Sequence, residues 1–374
     1  MKYFLIAGEA SGDLHSSNLM KELIRLDSNA RFRYLGGDLM QEVSPGMVMH
    51  YKETAFMMAD VFLNLGKIFR NLRKIKDELV QWEPDLVIPV DYPGFNMRIA
   101  KFASRKGMRV YYFISPKVWA WKQRRVHDLK KYTRQLFVIL PFEAAYFKQF
   151  EMEVQYFGNP LLDGVRQFQR DFRGGDEWKK AHGLDERPVV ALLAGSRKSE
   201  IRDMLPEMAR VASAHPAYQF VVAGAPSIDA GFYTPYLEGG RLNIVYGETY
   251  ALLASAYAGL VTSGTATLEA ALFNVPQVVM YRTSAFAYSI AKRLVKIKFI
   301  SLVNLILNRS LVLEVIQKDL YGQTEPELSR ILNNAVHRER IMKGYEELGS
   351  LIGEEGVSER IAGRMVELIK EEKG

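Results

Sequence analysis

Short apolar runs recur along the chain, and most of them close on Gly, Ser, Asp or Pro before helical periodicity sets in. Residues 3–7, 85–90, 110–114, 136–140 and 154–157 form one such series, and 189–194, 219–223, 242–245, 258–262 and 277–281 form a second. Strands that alternate with helices predict parallel sheets, because a parallel return needs a crossover connection. The polar clusters then collect at the carboxyl ends of the strands, the edge where open α/β sheets bind ligands. Between the two series lies a charged segment near 170–187 with Gly174-Gly175 in it, which reads as a linker. The expectation is two α/β domains with a cleft between them. Residues 341–372 read as terminal helices interrupted near 353–356.

One strand end concentrates the most polar chemistry. The apolar run at 259–262 meets Ser263, Gly264, Thr265 and Thr267, and a helix-forming stretch with Glu269 follows at once. The unpaired amides and dipole of a helix start attract anions, so a phosphate fits over residues 264–267, with the three hydroxyls as further donors. Glu269 falls one turn beyond Thr265 on roughly the same face; a carboxylate there suits a ribose diol better than a phosphate. An ordinary capped helix explains the same residues equally well. Gly195-Ser196-Arg197 repeats the logic after residues 189–194, a glycine allowing close backbone approach and an arginine fork suiting a diphosphate. The plainer account of Arg197 is an ion pair with Glu200.

The start of the chain reads as a βα unit, residues 3–7 entering Gly8-Glu9-Ala10-Ser11-Gly12-Asp13 without the G-x-G-x-x-G spacing of a dinucleotide site. Residues 3–7 are too short for the apolar part of a signal peptide. A general base is sought among the carboxylates of this first half. Asp91 ends an apolar strand and is held by the Pro93 turn, so partial burial would raise its pKa; turn capping is the alternative. Glu9 and Asp13 are weaker candidates of the same kind. Trp119 and Trp121 read either as core aromatics or as a wall for a sugar or acyl chain, with Lys122, Arg124 and Arg125 meeting a phosphate. The six histidines lack ligand spacing and no D-x-D pair occurs, so neither a metal nor another cofactor is expected.

The formal net charge of +7 favours an anionic partner, and the absence of cysteine excludes disulfides and thiolate metal sites. No run approaches the ~20 apolar residues of a membrane span. Two segments are amphipathic and basic. In 55–80, Ile68, Phe69, Leu72, Ile75 and Leu79 are expected on one side and Lys67, Arg70 and Lys74 on another; in 285–300, Phe286, Tyr288, Ile290, Leu294, Val295 and Ile297 stand beside Lys292, Arg293, Lys296 and Lys298. Such faces suit an anionic bilayer surface, while core packing with a solvated basic face is the alternative. No nucleic-acid-binding motif accompanies the charge.

Taken together, residues 8–13, 91–96, 115–121, 141–143, 195–197 and 263–269, with Asn304, resemble the lipid-A-disaccharide synthase family over nearly the whole length. That resemblance implies two Rossmann-like domains facing a central cleft (the GT-B type), residues 1–168 on the acceptor and lipid side and 188–340 on the UDP-sugar side, with 341–374 as C-terminal helices packing on the first. It implies inverting transfer of 2,3-diacylglucosamine from its UDP donor to 2,3-diacylglucosamine 1-phosphate, at the cytoplasmic face of an anionic inner membrane. Asp91 would be the base and Arg197 would act on the diphosphate, with Gly195, Ser196, Ser263, Gly264, Thr265, Thr267 and Glu269 at the nucleotide. Glu9, Ser11, Asp13, Asn96, Ser115 and Trp119 would contact substrate, and Asn304, Glu314 and Gln317 would lie near the donor. The chain departs from the family pattern at Gly94, where a second acid is common, and at Asn159, Ala194 and Val303. Two other functions stay open: a UDP-sugar epimerase or hydrolase, and a silent lipid- or nucleotide-binding protein.

Overall fold

The computed structural model describes residues 1–54, 65–237, 240–284, 288 and 298–372. Two compact units form, Met1–Asp163 together with Gly353–Gly374, and Gly164–Ile352. The first holds strands β1 (Lys2–Ala7), β2 (Arg31–Gly36), β3 (Met47–His50), β4 (Leu86–Val90), β5 (Tyr111–Phe113), β6 (Gln135–Val138) and β7 (Gln155–Tyr156). They pair in the order β3-β2-β1-β4-β5-β6-β7, all parallel. The second holds β8 (Val189–Leu193), β9 (Gln219–Gly224), β10 (Leu242–Tyr246), β11 (Ala256–Thr262), β12 (Gln277–Tyr281) and β13 (Glu314–Ile316), in the order β10-β9-β8-β11-β12-β13, also parallel. In each sheet the winding reverses once, between β1 and β4 and between β8 and β11. Those reversals open the crevices in which doubly wound sheets hold ligands.

Strand alternation explains the layering of the first unit. Tyr3, Leu5 and Ala7 face one side of β1 and pack with Leu19, Met20 and Leu23 of the helix Ala10–Leu26 and with Ile361, Met365 and Ile369 of the last helix, Val357–Glu371. Phe4 and Ile6 face the other side, against Leu72, Ile75 and Leu79 of the helix Leu65–Trp82 and Ile99 and Ala103 of Pro93–Arg105. Burying each such side chain stabilises the fold by about 1.5–3 kcal/mol. The last helix begins on Asp163, whose carboxylate accepts from the amides of Gly356 (2.8 Å), Val357 (3.1 Å) and Ser358 (2.8 Å). Gly353 and Gly356 precede it with φ of 96° and 84°, left-handed values that end the preceding helix, Ala335–Ile352.

The segment 170–187 is half helical: the helices Leu161–Asp171 and Gly175–Ala181 run through its first part, and from Gly164 onward the chain belongs to the second unit. Aromatic burial draws it there: Phe168 packs on Tyr250 and Phe273, and Trp178 donates its indole N–H to Glu248 at 2.6 Å.

Of the basic segment at 55–80, residues 55–64 lie outside the described residues, as do 285–287 and 289–297 of the second segment. In the helix Leu65–Trp82, Leu72, Ile75 and Leu79 are buried while Lys67, Arg70, Arg73 and Lys74 are exposed, so this part is a core-packed helix with a solvated basic face. Phe69 does not join the apolar side; it is 61% exposed among the cations.

Candidate active site

After β4 the chain turns through two consecutive left-handed residues, Asp91 (φ 43°) and Tyr92 (φ 46°), before Pro93 opens its helix. Neither is glycine, and such residues cost of order 1 kcal/mol each unless the surroundings hold them. Here they are held. The Asp91 amide donates to the Phe113 carbonyl at 3.1 Å, and the Asp91 carbonyl accepts from Tyr112 Oη (2.6 Å) and Asn96 Nδ2 (2.9 Å). Asn96 also reaches the carbonyls of Ile6 and Val90, each at 3.0 Å, and is fully buried. It therefore braces the ends of β1 and β4 and supports Asp91 through the backbone. Gly8 permits the crossing, because a Cβ there would stand 2.2 Å from the Tyr92 ring.

Burial pushes the Asp91 carboxyl up to about 6; Lys117 opposes that shift and Glu9 reinforces it. Glu9 caps the helix Ala10–Leu26 with its backbone only, leaving its side chain exposed beside exposed Ser11. Asp13 is different from its neighbours. It is buried and accepts from the amides of Gly37 (2.8 Å), Leu39 (3.1 Å) and Met40 (3.2 Å), so it fixes the start of the helix Asp38–Val43. Ser115 is buried and donates to the Pro116 carbonyl at 2.9 Å, and Trp119 donates its indole N–H to Glu143 at 3.1 Å. Trp119 is thus partly a packing residue. Gly94 faces open space, where a side chain would meet nothing within 4 Å.

The second unit presents the ends of β8 and β11. Gly195 sits at φ 110°, and a Cβ on it would stand 2.5 Å from Glu200. The Glu200 carboxylate accepts from the amides of Ser196 (2.9 Å) and Arg197 (3.3 Å) and pairs with the Arg197 guanidinium at 2.9 Å. A carboxylate therefore sits on the amides proposed from the sequence for a diphosphate, at the spacing of a helix capping box. At β11, Ser263 donates to the Ile300 carbonyl (2.8 Å) and Thr267 to the Gly264 carbonyl (2.8 Å), so these two hydroxyls spend their protons inside the fold. Thr265 is exposed and Gly264 has open space beside it. Glu269 accepts from Tyr250 Oη at 3.2 Å, and burial raises its pKa against that bond.

Asn304, Glu314 and Gln317 are scaffold. Asn304 is fully buried, accepts from the amides of Leu311 (2.8 Å) and Val312 (3.0 Å) and donates to the Val312 carbonyl and Glu314. Glu314 accepts from the amides of Ile300 and Ser301, both at 2.9 Å, and Gln317 bonds both backbone groups of Thr283. Together they set the loop that receives the Ser263 hydroxyl. Reading the sequence alone overlooks Tyr112, Lys117 and Tyr250 as partners of the two acids; only for Lys117, inside a motif, was there a local signal. Among the described residues no group of three His, Asp or Glu side chains is placed to hold a metal ion, and no helix is long and apolar enough to cross a membrane.

Two parallel sheets, each with polar chemistry at its winding reversal, define an α/β protein of the class shared by nucleotide-sugar glycosyltransferases and epimerases. In fold the chain is similar to the UDP-GlcNAc 2-epimerase of Neisseria meningitidis solved with UDP-GlcNAc, with a TM-score of 0.70 at 11% identity over 98% of this chain and 100% of that one. It is also similar to the calicheamicin glycosyltransferase CalG4, with a TM-score of 0.60 at 18% identity over 98% of this chain and 97% of the other. Residues 3–357 match the model of the lipid-A-disaccharide synthetase family, and the chain belongs to that family. It is 34% identical to the lipid-A-disaccharide synthase of Geobacter metallireducens, covering 98% of this chain and 97% of that protein. It is 31% identical to that of Myxococcus xanthus, over 98% of this chain and 97% of the relative. It is accordingly a glycosyltransferase.

Proposed function

We propose that the chain transfers a 2,3-diacylglucosamine unit from UDP-2,3-diacylglucosamine to 2,3-diacylglucosamine 1-phosphate, with inversion, giving a β-1,6 disaccharide 1-phosphate and UDP. Asp91 carries this reading. A carboxyl pushed up to about 6 is ionised at neutral pH yet basic enough to take the proton of the acceptor's 6-hydroxyl as its oxygen attacks the anomeric carbon. The bond to the UDP oxygen breaks on the opposite side, and the diphosphate leaves with the electron pair. Arg197 opposes the developing charge, with Glu200 giving way to the phosphates on the Ser196 and Arg197 amides. Thr265 and Gly264 flank the nucleotide and Glu269 accepts from the ribose diol. Family membership supports the reaction, and the UDP-GlcNAc and UDP held by the similar folds support the donor class.

The deciding experiment measures UDP release with and without the acylated acceptor. Release that requires the acceptor, with a disaccharide seen by mass spectrometry, is expected. Equal release without it would assign a hydrolase or epimerase instead, and no release with an active control would leave only a binding role.

Both substrates are acylated, so we place the enzyme on the anionic cytoplasmic face of the inner membrane. Exposed Phe69 among Lys67, Arg70, Arg73 and Lys74 supports this, as does the apolar sequence just before it. At low salt the protein should co-sediment with anionic vesicles, and Phe69→Asp should lower the bound fraction several-fold. Equal recovery with and without vesicles would remove the membrane from the proposal.

A further inference from the structure

Glu143 is 2% exposed and stands at the third position of the helix Pro141–Lys148. One carboxylate oxygen accepts from the amides of Ile139 (3.1 Å) and Leu140 (2.9 Å), and the other from the Trp119 indole N–H at 3.1 Å. A helix-capping glutamate needs only the first of these, and such residues ordinarily sit in solvent. Here a loop 24 residues earlier supplies the second partner. The Trp119 ring also meets Phe142 edge-on, with centroids 5.1 Å apart, so the turn at 141–143 grips the tryptophan by ring and N–H together. Trp119 belongs to the loop 115–121, which carries Lys117. The Lys117 charge acts on Asp91 and on Glu143, lowering the pKa of each against the burial that raises it.

We infer that Glu143 is a positioning residue for the transfer reaction: it fixes Trp119, and through it the loop that holds Lys117 in range of Asp91. This rests on the reading of Asp91 as the base. The residue type follows from hydrogen-bond chemistry. Three N–H groups converge on Glu143, and only an ionised carboxylate offers two acceptor oxygens with no proton of its own. A glutamine must turn its amide N–H₂ toward the indole or toward the two backbone amides, setting donor against donor. Protonating Glu143 has the same effect. Burial pushes this carboxyl up to about 7, opposed by the two amides, Trp119 and Lys117, with the Tyr156 phenol also in its field. The indole contact should therefore weaken as pH falls through neutrality.

The test is a double-variant cycle on the full chain with Glu143→Gln and Trp119→Phe, read as UDP release with acceptor present. Each single variant should lower kcat roughly 10–100-fold with the donor KM little changed, and the double variant should be no worse than either. In ¹⁵N-indole spectra the resonance lost in Trp119→Phe should titrate with pH in the wild type and stop doing so in Glu143→Gln. Full turnover in either single variant, or losses that multiply in the double, would overturn the inference. Should Glu143→Gln not fold, Trp119→Phe carries the kinetic test: it removes the indole N–H together with the fused second ring, and the pH titration of the wild-type indole resonance separates the hydrogen bond from that loss of packing. Asp91→Asn is run in parallel: normal turnover there removes the base while the indole titration still reports on Glu143.

Discussion

Asp91→Asn should lower turnover by roughly 10²–10⁴-fold, the range for losing a positioned general base, while UDP still binds. The carbonyl of residue 91 keeps its bonds from Tyr112 and Asn96, so the left-handed turn survives and only the proton acceptor is lost. In the wild type kcat/KM should rise with pH through about 6 as the base ionises, and further through about 7 as Glu143 does, the second rise being absent in Glu143→Gln. Stability runs the other way. A carboxyl held above its ordinary 3.8 binds its proton more tightly when folded, so stability falls as pH rises from about 4 to about 6 and stays reduced above that. The amide carries no such penalty, and Asp91→Asn should melt higher than wild type at pH 7, by about 1–3 kcal/mol in unfolding free energy. A variant with near-normal turnover would take the base role from Asp91. One that is inactive and less stable would point to a broken turn.

Arg197→Ala should cost roughly 10²–10³ in kcat, the scale for removing one group that meets charge developing on the leaving oxygen, and should weaken the donor as well. Arg197→Lys should recover only part of this, since an ammonium lacks the fork that spans two phosphate oxygens. The Glu200 pairing sharpens the expectation. With Arg197 gone, Glu200 still occupies the Ser196 amide at 2.9 Å, and its charge now repels the diphosphate without compensation. The measurement is kcat and donor KM for both variants at saturating acceptor; an unchanged kcat in Arg197→Ala would place the guanidinium outside the reaction.

Strand ends were legible because apolar runs stop abruptly at Gly, Ser, Asp and Pro, and the backbone has few ways to bury a run and expose such a cluster. Three strands escaped. In β2 the arginines 31 and 33 interrupt the apolar residues, and β3 and β13 run on into Tyr51-Lys52-Glu53 and Gln317-Lys318 with no Gly, Ser, Asp or Pro to mark where they end. Side-chain direction was the harder matter. Asp13 and Glu9 flank one turn and look alike in sequence, yet one is buried on three amides and the other is exposed. Asn304, Glu314 and Gln317 likewise turn inward, so motif residues near a site shape it from behind. The Trp119–Glu143 bond joins two motifs through tertiary contact, which no local pattern announces.

The Asp163 carboxylate and the helix it starts have a consequence for how the protein is made. Residues 1–163 emerge from the ribosome first, but the face of β1 carrying Tyr3 and Leu5 is covered by a helix that begins only at Val357. At about 5–20 residues per second, the stretch between Asp163 and Gly353 takes roughly 10–40 s to synthesise. For that interval this face of the nascent first sheet is covered by the helix Ala10–Leu26 and lacks the cover of the last helix. The second unit, continuous from Gly164 to Ile352, is synthesised whole before the last helix of the first, so all of its residues are available to fold while the first unit still waits for its final segment.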